Sequence, residues 1–147
     1  MAEALTPEQL TGLVAPSLDA FEQLARAAWD SLPETFRALA GSVPIIVTDF
    51  PDEETMTEMA CETEFDLLGL FRGVGRTELG MTESTGQLPN QIWLYRRPIL
   101  DYWAEHEETL GAVVTHVLIH EIGHHFGFSD ADMEALEEQA AAEARSG

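Results

Sequence analysis

Residues His116-Val-Leu-Ile-His120-Glu121-Ile-Gly-His124-His125-Phe-Gly127-Phe-Ser-Asp130 hold four of the chain's five histidines. They spell HExxH, extended to HExxHxxGxxD. Helix positions four apart lie about 40° apart around the axis, with Cβ atoms roughly 5–6 Å from each other, so His120 and His124 face the same way. Two imidazoles placed like this share one zinc ion at Zn–N distances of about 2.0–2.1 Å. Glu121 flanks the pair and reaches a water on the metal without occupying the metal itself.

A bare HExxH arises by chance in roughly a few chains per thousand of this length, so its context decides. From Thr109 to Ser129, Glu121 is the only acidic or basic side chain apart from the histidines. Leu110, Val113, Val114, Val117, Leu118, Ile122 and Phe126 form an apolar stripe at helical spacing, and Glu121 falls inside it. A buried carboxylate without a partner costs several kcal/mol or stays protonated. A water on a metal supplies that partner. The same Glu121 and the four histidines are too costly in lipid for a membrane span.

The third ligand comes from outside the helix. Gly127 stands where a left-handed glycine ends a helix and turns the chain back. Three extended residues span at most about 10 Å, enough to return the Asp130 carboxylate to the metal. Two His and one carboxylate leave a fourth position open, the pattern of a catalytic zinc. Ser129, Asp130 and Asp132 also read as caps of a last helix, Ala131 to about Arg145, with Ser129-x-x-Asp132 as an acidic capping box. Glu134, one turn into that helix, is the rival ligand.

HEIGHHFGFSD, together with Leu68-Gly-Leu-Phe-Arg-Gly73 and Leu88-Pro-Asn-Gln-Ile-Trp-Leu-Tyr-Arg-Arg-Pro98, resembles the small bacterial zincin-like metallopeptidases, described as minimal zincins. The resemblance covers roughly residues 18 to 138. It implies a compact α+β zincin-like fold, with N-terminal helices, a small mixed sheet of about three strands, a central HExxH helix and a short C-terminal helix. It further implies one zinc per chain on His120, His124 and Asp130, with Glu121 as the general base of peptide-bond hydrolysis. The alternative is a catalytically idle metal-binding module of the same fold that serves protein interaction.

A chain of 147 residues, 45% hydrophobic, with no linker or internal repeat, reads as one domain over 1–147. Met1-Ala-Glu-Ala lacks the basic start and apolar run of a signal peptide, and a lone Cys61 forms no intramolecular disulfide, so the expected location is cytoplasmic. With 27 acidic and 7 basic residues, the net charge of −20 repels nucleic acid and anionic membranes. That charge serves solubility or favours a cationic substrate equally well. The expected partners are a peptide or unfolded protein, and a protein partner completing the cleft.

Upstream, Thr6-Pro7-Glu8-Gln9 starts a helix that Pro16 interrupts, and Leu18 to Leu32 continue a helical face. Ser31 to Glu34 read as a second capping pattern, opening a short helix to Gly41. Val43–Phe50 reads as a strand. Asp52 to Asp66, with seven acids and no base, reads as a solvated loop or short surface helix. Leu67–Arg72 and Gln91–Arg96 are two further strands, joined by a loop carrying Gly73, Gly75, Gly80 and Gly86. Either of these two could offer an edge to an extended substrate.

His116, one turn before His120, reads first as a hydrogen-bonded core histidine and second as a neighbour of the metal. His125 points some 140° from His120 and reads as structural. Tyr95, Tyr102, Arg96 and Arg97 are candidates to stabilise an oxyanion, with no spacing to choose among them. Cys61 reads as a small buried residue.

Overall fold

The computed structural model describes residues 4–72 and 90–146, and the side chains among them as far as residue 142. Its elements are α1 (Pro7–Thr11), α2 (Leu18–Asp30), α3 (Glu34–Ala40), β1 (Ile45–Thr48), α4 (Glu53–Glu58), β2 (Gly69–Arg72), β3 (Gln91–Tyr95), α5 (Arg96–Ala104), α6 (Leu110–His125) and α7 (Asp130–Ser146). This is the expected α+β arrangement. The glycine loop, Gly73 to Gly86, lies outside the described residues.

Local chemistry sets most boundaries. Thr6 and Gln9 close the reciprocal capping box of α1, and Ser17 caps α2 through the Ala20 amide. Asp52 caps α4 through the Thr55 amide, so the acidic stretch is a short helix at its start. Ser31 differs from expectation. Its hydroxyl donates to Ala28 O and it ends α2, while Pro33, with no side-chain cap, opens α3. A Ser three residues before a Glu signals a start only when the preceding helix does not need that Ser as its end.

The sheet is mixed, ordered β1-β3-β2, with β1 parallel and β2 antiparallel to β3. β3 is therefore central, and among the described residues β2 is an edge. Ile45, Val47, Phe71, Ile92 and Leu94 share the face that packs toward α2 and α6. Phe21, Ala25 and Ala28 of α2 close that core with Val113, Val114, Leu118 and Ile122 of α6. Where β3 ends, the Arg96 guanidinium binds Asp49 at 2.9 Å and Pro16 O at 2.7 Å, tying α5 to the chain before α2. No described helix is long and apolar enough to cross a membrane.

Candidate metal centre and base

Helix α6 begins at Thr109, whose hydroxyl accepts from the Ala112 amide, and it buries Val113, Val114, Val117, Leu118, Ile119, Ile122 and Gly123. One flank lies against β2. A Cβ on Gly69 would stand 2.7 Å from Val117 Cγ1 and 3.0 Å from Trp93 O, so only glycine lets the strand approach this closely. The Tyr95 amide donates to Leu68 O, which makes residues 68, 70 and 72 the ones that pair into β3. The backbone groups of Gly69 and Phe71 consequently face the outer edge.

Glu121 meets that edge. Burial pushes its carboxyl pKa up to about 7, and a hydrogen bond from the Phe71 backbone amide works in the opposite direction. The strand thus holds the carboxylate at its outer edge, half-buried beside His120. His125, on the same flank, packs its ring 4.4 Å from Phe71 and 4.9 Å from Phe126. That agrees with a structural reading for His125.

The other flank faces α7. Helix α6 ends in a Schellman turn, with Phe128 N–H donating to Gly123 O and Gly127 N–H to His124 O, and Gly127 adopts φ +80° as its position requires. Ser129 and Asp132 then exchange reciprocal hydrogen bonds at 3.1 and 3.2 Å, the acidic capping box that starts α7. Met133, fully buried, lies against Gly123, where a Cβ would stand 2.6 Å from its Sδ. Two glycines therefore bring a strand and a helix against opposite sides of α6.

His116, His120 and His124 follow one another at four-residue spacing along α6, and the first two meet Glu137 of α7. The His116 and His120 rings stack at 4.0 Å, and the His120 and His124 rings meet edge-on at 5.8 Å. Glu137 Oε2 lies 2.8 Å from His120 Nε2 and 3.0 Å from His116 Nδ1. Among the described residues, His116, His120 and Glu137 form the group whose ligand atoms all lie within 4.8 Å of one another. His124 and Asp130 are outside that group. Both are exposed, His124 in the last turn of α6 and Asp130 as the first residue of α7. Glu134 is exposed as well.

His116 is hydrogen-bonded, as read from the sequence, yet its side chain is 40% exposed and belongs to this cluster rather than to the core. Glu137 was absent from the sequence reading. Its signal was its spacing, four after Met133 and three before Ala140, two residues buried against the rest of the fold. Imidazole nitrogens with a carboxylate oxygen are the donors that zinc takes, so the residues present fit that ion. A groove of about 620 Å³ between α2, α6 and α7 also has Glu137 in its wall, with Leu24, Ala28, Ala112 and Ala140.

Tyr95 ends β3 at 2% exposure, and burial pushes its phenol up to about 12. Arg72, another side chain on that face of the sheet, binds Thr55 at 2.9 Å and Glu58 at 3.2 Å. Cys61 is half-buried.

A family model described as Zincin-like metallopeptidase matches residues 40–140, well over half of the chain, from the end of α3 into α7. All the side chains of the cluster and Glu121 fall within that span. No curated protein matches the chain.

Proposed function

The chain belongs to the zincin-like metallopeptidase family, and from that premise we propose that it hydrolyses peptide bonds in a zinc-dependent reaction with Glu121 as general base. The observation that carries this reading is the placement of Glu121. A carboxylate held half-buried by the edge strand, one residue along from His120, serves stability poorly and proton transfer well.

His120 and His124 would hold the ion, with a carboxylate from α7 as third protein ligand, for which Asp130 is the expectation from spacing. Zinc, when bound, supplies a Lewis acid that polarises a carbonyl and acidifies water. Glu121 takes the proton of the attacking water onto its carboxylate and returns it to the nitrogen of the departing amine. The outward backbone groups of β2 other than the Phe71 N–H, which Glu121 takes, accept an extended peptide as an added strand, which aligns the scissile bond along α6. The groove beside Glu137 offers apolar space to one side chain of that peptide. A small peptide or an unfolded chain suits a cleft bounded by one strand and one helix. The net charge of −20 favours cationic sequences among them.

The test is Glu121→Gln, assayed on a diverse, partly cationic peptide library. The variant should keep the fold and the zinc while losing about 10²–10⁴-fold in turnover, and a chelator should abolish wild-type cleavage. Equal rates for Glu121→Gln and wild type would refute the assigned base. Zinc-loaded wild type that cleaves nothing would leave the metal-binding interaction module as the reading.

A further inference from the structure

We infer that the pocket on the sheet face turned away from α6 binds a basic side chain, arginine foremost, presented by a peptide or protein. The inference rests on this pocket alone and stands whether or not the chain hydrolyses peptides. Ile92 and Leu94 of β3 point into the core, so by strand alternation Trp93 and Tyr95 occupy the opposite face. There a pocket of about 380 Å³ opens between the sheet and α4, with Phe50, Asp52, Glu54, Arg72, Trp93 and Tyr95 in its wall. That volume falls within the range of about 300–1,000 Å³ common for ligand sites.

Tyr95 is the first observation that points to a ligand. It is 2% exposed, and among the described residues its hydroxyl has no hydrogen-bond partner. The phenol feels the charges of Arg72 and Asp52, both groups of the pocket wall, so it is aimed into the pocket. A buried hydroxyl without a partner is costly, and a fold keeps one where something else satisfies it. An N–H donor entering the pocket does so.

Charge selects that donor. Asp52, Glu54 and Glu58 stand in the wall against one base, Arg72. The base is already engaged, because its Nη2 donates to Thr55 Oγ1 at 2.9 Å and to Glu58 at 3.2 Å. Among the described residues Asp52 and Glu54 have no such ion pair. Hydrogen bonds from the Thr55 hydroxyl and amide hold the Asp52 carboxyl below the usual carboxylate range, so it is anionic at neutral pH. An acidic ligand would meet uncompensated negative charge, whereas a cation meets its complement. Phe50 and Trp93 add aromatic wall, a surface that favours a guanidinium over an ammonium. Phe50 already receives one within the chain, with Arg97 Cζ 5.9 Å from its ring centroid. The planar fork of N–H donors lets one guanidinium serve a carboxylate and the Tyr95 oxygen together.

Isothermal titration calorimetry on the full chain, stripped of metal by a chelator, tests the site with the α-N-acetyl amides of arginine, lysine, citrulline and glutamate. Arginine should bind at least about tenfold tighter than citrulline, its neutral isostere, with lysine between them and glutamate not binding. Tyr95→Phe keeps the ring and its packing. It should weaken arginine about tenfold, as for a lost hydrogen bond to a charged group, yet melt no lower than wild type, because the hydroxyl holds nothing in the free protein. Asp52→Asn, which retains a cap for α4, should weaken arginine by a similar factor. Arginine and citrulline bound alike, glutamate bound best, or wild-type arginine affinity in Tyr95→Phe each overturns the inference. A lower melting temperature for Tyr95→Phe overturns it as well, since the hydroxyl would then have a structural partner. Binding is read without metal or cleavage, so a chain that hydrolyses no peptide leaves the inference in place.

Discussion

The two flanks of α6 carry opposite kinds of contact. On the β2 flank Val117 presses on Gly69, His125 and Phe126 pack on Phe71, and Glu121 takes a backbone amide, so the one acidic group there is held by burial and a fixed donor. On the α7 flank the His116 and His120 imidazoles and Glu137 stay partly open to water and hold one another through side chains. A general base gains from the first environment, because desolvation moves its pKa toward neutrality. Metal ligands need the second, since an ion must enter and displace protons. One helix supplies both because its apolar core lets two glycines bring different partners to its sides.

The largest expected effect breaks the α7 flank alone. Zinc at about 1,000 times its dissociation constant should stabilise the wild type by about 4 kcal/mol, read as a rise in melting temperature. His120→Ala should lose that response. The β2 flank should be insensitive to the same ion, so Glu121→Gln should keep the full shift. A zinc response surviving in His120→Ala/His124→Ala would mean that the ion binds elsewhere.

Next in size is the burial of Glu121, visible in the zinc-free protein. Its carboxyl rises from 4.5 to about 7 on folding, so the folded chain holds this proton more tightly than the unfolded one. The associated penalty is absent below pH 4.5, grows as pH rises toward 7, and is constant above. At about 1.4 kcal/mol per unit it reaches about 3 kcal/mol. Glu121→Gln carries no such proton. Its stability relative to wild type, from urea unfolding of the zinc-free forms, should climb by about that amount between pH 4.5 and 7. A constant difference across that range would show that Glu121 is not desolvated.

How much of this was legible depended on how local the cause was. A single Glu inside an apolar stripe marked α6, and Gly127, Ser129 and Asp132 announced the turn and the next helix, because each acts within a few residues. Strand β3 was visible by its alternation, yet its central place was not, since pairing it in parallel with β1 and antiparallel with β2 depends on long-range contacts. Glu137 was hidden for a different reason. In the run Glu134, Glu137, Glu138 acidity reads as a solvated face, and only the burial of Met133 and Ala140 turns one of the three inward. The candidate ligand Asp130 was legible from a motif and Glu137 from geometry alone.

A smaller effect tests the contact that seats the base. Gly69→Ala adds a methyl where Val117 and a backbone carbonyl leave no room, and such overpacking costs about 1–3 kcal/mol. Because the strain falls on the β2 flank, it should shift the Phe71 amide away from Glu121. The signature is therefore a loss of turnover with zinc affinity unchanged. Parallel losses of both would show the flanks to be mechanically coupled through α6.

The smallest effect belongs to the start of α7. Ser129→Ala removes the hydroxyl that accepts from Asp132, a loss of about 1 kcal/mol for an N-cap. If Asp130 ligates zinc, fraying of the first turn loosens a ligand in that very turn, and affinity should fall together with stability. A loss of stability with zinc affinity unchanged would take Asp130 out of the ligand set. Measuring both quantities on Ser129→Ala thus tests that ligand without altering it.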